Sequence, residues 1–100
     1  MSTAENWLRS RVGKVPPSLL ECMVKALPQE ASGTPEALVD GALHLYDQVV
    51  RGSGGREDAL PLLAADALFT HAFEAQATFA PDQIDDLVAR CERRLGELLP

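Results

Sequence analysis

The chain has 100 residues, 46% of them hydrophobic and 24% charged, with a formal net charge of −6. That composition excludes an intrinsically disordered chain, and the acidic balance argues against a protein that grips phosphate backbones, so nucleic acid is not an expected partner. A chain of this length buries only about 60–70% of its extended surface on folding. Only 5% of the residues are aromatic, so Leu, Val and Ala must fill the core, which favours completion by a second copy or a protein partner.

The opening segment, MSTAENWLRSRVGK, has no apolar h-region or cleavage site. No run approaches the ~20 apolar residues of a membrane span. A cytoplasmic protein without a membrane span is the expectation. Ser2 or Thr3 can cap a first helix reaching about Val12, ended by Gly13. Trp7, Leu8 and Val12 share one side of it, with Trp7 placed as a lid over the core. Val15-Pro16-Pro17 forces an extended corner, because proline restricts the residue before it.

Pro17 then suits the first turn of a second helix, SLLECMVKAL, closed by Pro28. Leu19, Leu20, Met23, Val24 and Leu27 form its buried face, and Glu21 and Lys25 are spaced for an i,i+4 pair outside. Residues 29–33 read as a loop. Thr34-Pro35-Glu36 is a start signal with Thr34 as N-cap. A third helix runs from Pro35 to about Arg51, with apolar rows Leu38, Ala42, Leu45, Val49 and Val39, Leu43, Tyr46, Val50, and a polar stripe of Glu36, Asp40, His44, Asp47, Gln48 and Arg51. Gly52-Ser53-Gly54-Gly55 stops it in a hinge-like turn, with glycine supplying a left-handed cap.

Asp58 is the best N-cap for the fourth helix, since it leaves Pro61 in the first turn. This helix, ALPLLAADALFTHAFEAQATF, contains every Phe in the chain and is the stretch around which the sequence predicts the rest to be organised. At about 100° per residue, Leu62, Ala65, Leu68, Phe69, Ala72, Phe73 and Phe79 fall in one broad sector, and Asp66, Thr70, His71, Glu74 and Thr78 fall opposite. Pro81 opens a last helix to about Leu99 with the seam Ile84, Leu87, Val88, Cys91, Leu95, Leu98. Asp82, Asp85 and Asp86 sit near its positive end and Arg90, Arg93 and Arg94 further along, the order a helix dipole favours. No segment alternates with a period of two. The expected fold is all-α, one domain over residues 1–100, a bundle of about five helices without strands.

Candidate chemistry is sparse. Cys22 and Cys91 lie in apolar helical patterns and read as structural thiols. His44 with Asp40 and His71 with Glu74 could offer metal ligands from two helices, but in a hairpin turning near Gly54 the two histidines lie at different levels. No metal, cofactor or catalytic residue is assigned, and the chain is read as a non-enzyme. The residues singled out for an interface or a ligand are Tyr46, Asp66, Phe69, Thr70, Phe73, Glu74 and Gln76. Asp66, Thr70 and Glu74 follow at i,i+4 steps as a wetted edge that a dimer could share, Thr70 bonding across. Gln76, inside the apolar sector, needs a hydrogen-bond partner. Tyr46, Phe69 and Phe73 could line a pocket between the third and fourth helices.

Leu63 to Glu74, LAADALFTHAFE, resembles the helix LAGDALLTxAFE of the all-α trans-isoprenyl diphosphate synthases, with Ala65 in place of the family's Gly. In that family a DDxxD motif on the preceding helix binds magnesium and diphosphate. The preceding region here, HLYDQVVRGSGGRED, holds no such motif, and Asp85-Asp86 stands on the wrong side without the third acid. The chain is also too short for the family's helical barrel. The resemblance implies packing similar to one helical hairpin, without the catalysis. The reading that follows is a small non-catalytic interaction or accessory protein that self-associates. The alternatives are a binder of an isoprenoid- or lipid-like small apolar molecule and, with less support, a metal-dependent enzyme.

Overall fold

The computed structural model describes residues 3–29 and 33–98. Among them are five α-helices and no strand: α1 (Thr3–Arg11), α2 (Pro17–Ala26), α3 (Thr34–Arg51), α4 (Ala59–Phe79) and α5 (Ile84–Leu98). Short 3-10 turns at Arg56–Asp58 and Pro81–Gln83 lead into α4 and α5. The Cα radius of gyration is 13.1 Å, matching the roughly 13 Å of a packed 100-residue chain. No helix of the described residues is long and apolar enough to cross a membrane.

The prolines and glycines end the helices much where the sequence places the breaks. Pro17 occupies the first turn of α2 with Pro16 before it, and the α2 chain leaves extended at Leu27. Thr34 is a correction: it is already helical and buried, and Gly33 is the N-cap of α3. Pro35 fixes a helical φ one residue in, so the helix can begin a residue early without losing a needed N–H. Pro81 opens a 3-10 turn, so α5 itself starts at Ile84. The proposed Ser2 cap and the Leu99 end of the last helix lie outside the described residues.

The most enclosed helix is α3 rather than α4, although α2 packs more extensively on α4 than on α3. Nine of the 18 residues of α3 are buried, from Thr34 to Leu45, and α1, α2, α4 and α5 all pack on it. Only six residues of the 21 in α4 are buried: Ala64, Ala65, Leu68, Ala72, Ala75 and Gln76. The apolar sector expected for α4 is therefore rotated. Leu62 and Phe79 are exposed, Phe69 and Phe73 half-buried, and His71 half-buried rather than outside. A helix apolar on nearly every side has no dominant face, and the side that turns inward is the one whose alanines let neighbouring helices come closest.

Gly41 shows how close. A Cβ there would lie 3.2 Å from Leu27 Cδ2, 3.3 Å from the Ala26 carbonyl oxygen and 3.3 Å from Leu68 Cδ1. Helices α2, α3 and α4 thus meet at one residue without a side chain. Gly41 and Leu68 stand nearly the same number of residues from Gly54 and Gly55 on either side, which is the register of an antiparallel hairpin. The α3–α4 contact is the most extensive in the molecule.

The hairpin turn is bonded rather than hinge-like. The Gly54 N–H donates to Asp58 Oδ2 at 2.8 Å, the Gly55 N–H donates to Ser53 Oγ at 3.2 Å, and Ser53 Oγ donates to Glu57. That last bond holds the Glu57 carboxyl below the usual range. Asp58 precedes α4 as expected but makes no side-chain cap bond to it, because its carboxylate serves the turn. The left-handed residue is Gly54, at φ +78°. Gly52, the C-cap of α3, is extended at φ −79°. The expected Glu21–Lys25 pair is also replaced: Glu21 reaches Arg9 Nη2 of α1 at 3.5 Å, a partner that helix spacing alone cannot reveal.

Two substitutions separate packing from turn geometry in urea denaturation. Gly41→Leu overfills the meeting point of three helices and is expected to cost about 2–3 kcal/mol. Gly54→Ala, with open space around its Cβ, is expected to cost only the left-handed penalty, about 1–2 kcal/mol.

Candidate interaction surface

The outward side of α4 carries three of the seven residues singled out from the sequence. Asp66, Thr70 and Glu74 lie exposed along it at successive i,i+4 steps, which places them on one line. The Thr70 hydroxyl donates to the Asp66 carbonyl of its own helix at 3.1 Å, and the Thr78 hydroxyl to that of Glu74 at 2.9 Å. These donors are used internally. Glu74 stands 3.9 Å from Arg11 Nη1 and 3.9 Å from His71 Nδ1, distances of loose surface pairing worth little.

Gln76 is separate from that line. It is 4% exposed, and its side-chain amide donates to the Ala80 carbonyl at 2.7 Å. The partner it requires is thus within the chain, where it ties the last turn of α4 to the corner before α5. Tyr46, Phe69 and Phe73 are half-buried and pack against the core. Three open clefts among the described residues are lined by side chains other than these, and Gln76 borders one of them with Glu36, Gln83 and Arg90.

Apolar side chains remain on the surface around the hairpin. Leu62 is 48% and Leu63 59% exposed, with Leu60 and Val50 also open near the turn. Leu63 shares the line of Asp66, Thr70 and Glu74, and Leu62 shares a neighbouring row with Phe69 and Phe73, by helical spacing. The outer side of α4 therefore carries two exposed leucines near the turn, followed along the helix by Asp66, Thr70 and Glu74.

At the far end of α4, Trp7 covers the helix as a lid. Its ring meets His71 edge-on at 6.3 Å and Phe79 at 6.3 Å, with the Arg11 guanidinium 5.3 Å from its centroid. This half-buried aromatic contact is where α1 docks on α4. His44 lies elsewhere, exposed on α3 and 3.5 Å from Gln48. Among the described residues, no three His, Cys, Asp or Glu side chains converge as a bound metal ion requires.

The strongest polar contact was missed in the sequence. Arg90 Nη2 donates to both Asp40 oxygens at 3.1 and 3.0 Å, and Arg94 Nη1 donates to Asp40 Oδ1 at 3.2 Å. Arg90 and Arg94 are one turn apart on α5, so both reach a single carboxylate on α3. That i,i+4 arginine spacing beside the seam was the available signal. The last turn of α5 itself holds no cation, and Arg90 and Arg94, just before it, turn inward to α3.

Both cysteines are free. Burial pushes each thiol above its ordinary range, more than Lys25 beside Cys22 or Arg90 beside Cys91 counteracts. Protonated thiols are poor nucleophiles, and the seam position of Cys91 is that of a small apolar residue.

Asp40→Asn leaves two guanidinium groups without their carboxylate and is expected to cost about 1–2 kcal/mol, with Arg90→Ala more costly than Arg94→Ala, all read from chemical denaturation midpoints. In a thiol-labelling time course at neutral pH, Cys91 is expected to react on the timescale of unfolding, and Cys22 sooner. No family model, curated protein or solved structure matches this chain.

Proposed function

We propose that the chain is a small non-catalytic helical interaction or accessory protein that self-associates through the outer side of α4. The observation that carries this reading is the exposure of Leu62 and Leu63, 48% and 59%, on a helix whose inner side is already packed. Burying the open halves of these leucines on two copies contributes on the order of 3–6 kcal/mol. That is comparable with the lower range of the cost of association, so the contact is concentration-dependent rather than obligate. Across a two-fold axis it pairs like with like. Asp66 and Glu74 then bring acids toward acids, and added salt strengthens the contact by screening them.

Sedimentation equilibrium over a dilution series at about 0.5 M salt tests the reading. The wild type is expected to associate reversibly and Leu63→Glu at least tenfold more weakly, with unchanged helical circular dichroism. A wild type that stays monomeric and co-purifies with no partner overturns the reading, and a Leu63→Glu variant that associates normally overturns the α4 contact.

A further inference from the structure

A second surface differs in charge from the rest of this acidic chain. Between the end of α2, α3 and the later turns of α5 lies an open groove of about 430 Å³ whose floor is Ala26, Leu27 and Pro28 and whose rim includes Lys25, His44 and Arg94. It continues through Lys25, Ala26 and His44 into a depression of about 220 Å³ beside Leu45. Asp40, also on the rim, is already bonded by Arg90 and Arg94. Lys25 is exposed and forms no ion pair among the described residues. In a chain of net charge −6, this leaves Lys25 as an exposed cation beside an apolar floor, since Arg94 is already shared between Asp40 and Glu97.

The complementary surface is on the same chain. The outer side of α5 presents Asp85 and Glu92, both exposed, with Val88, 39% exposed, between them at helical spacing. Arg90 and Arg94 face the other way, toward α3. An apolar residue flanked by acids matches an apolar floor beside Lys25 in both sign and chemistry.

We propose that the groove receives the outer side of α5 from a second copy of the chain, with Val88 on the apolar floor and its acids toward Lys25. The inference rests on the reading that the chain self-associates and adds a second, electrostatic contact to it. The two patches differ, so the contact is heterologous and joins copies head to tail. Opposite charges meet, so salt weakens it, the reverse of its effect at α4.

Sedimentation equilibrium at about 20 mM and about 0.5 M salt, on the full-length wild type, Lys25→Glu, Asp85→Lys and the double variant, tests it. At low salt the wild type is expected to form species larger than a dimer. Each single variant is expected to weaken that assembly at least tenfold, and the double variant, which restores opposite charges, to recover it to within about threefold. The species at high salt is expected to be the same for all four. Single variants that assemble like the wild type at low salt, or a double variant no better than the singles, overturn the groove contact and leave the α4 contact standing. A wild type monomeric at both salt concentrations overturns both.

Discussion

The structure depends on how near three helices come to one another at Gly41. A side chain at that point would meet the tip of Leu27, the backbone of Ala26 and the tip of Leu68, and those contacts come from two different helices. The close approach makes α3 the axis of the bundle, with its buried Leu38, Val39, Ala42, Leu43 and Leu45 facing neighbours on several sides. A chain with so few aromatic residues forms a core in this way: small residues bring backbones together, and each fully buried Leu then contributes about 1.5–3 kcal/mol.

The remaining elements are attached to this axis by different forces. α4 is attached by alanine packing, and Gln76 and the turn bonds of Asp58 hold its two ends. α5 is attached by the Leu87 and Cys91 seam and by two arginines sharing the Asp40 carboxylate, a partly buried, charge-assisted contact stronger than ordinary surface pairs. α1 is attached by Trp7 over His71 and Phe79, with Arg9 reaching Glu21. Because α4 packs inward through alanines, its larger residues are left at the edges and outside. The exposure of Leu62 and Leu63 therefore follows from the same packing that encloses α3.

Helix number and limits were legible because proline and glycine act locally: Pro17, Pro28, Pro35, Pro61 and Pro81 constrain their own φ and the residue before them. Part of the α5 seam was legible for a similar reason, since Leu87 and Cys91 recur against a charged background, but Val88, read as part of it, is exposed. The inward side of α4 was not, because Leu62, Leu63, Phe69, Phe73 and Phe79 surround the helix and periodicity has little contrast to report. Asp66, Thr70 and Glu74 were placed correctly on one exposed line, while the partner of Gln76 was hidden at the following corner. Asp40 with Arg90 and Arg94, and Glu21 with Arg9, join residues from different helices, which single-helix spacing does not encode.

Native-state amide hydrogen exchange tests the central role of α3 most directly, since it ranks elements by the free energy of opening. The account predicts that the amides from Leu38 to Leu45 exchange last, together with those of α4 from Ala64 to Ala72 that face them, and that α1 exchanges first. Protection highest in α4 while Leu38 to Leu45 exchange as early as α1 would contradict it.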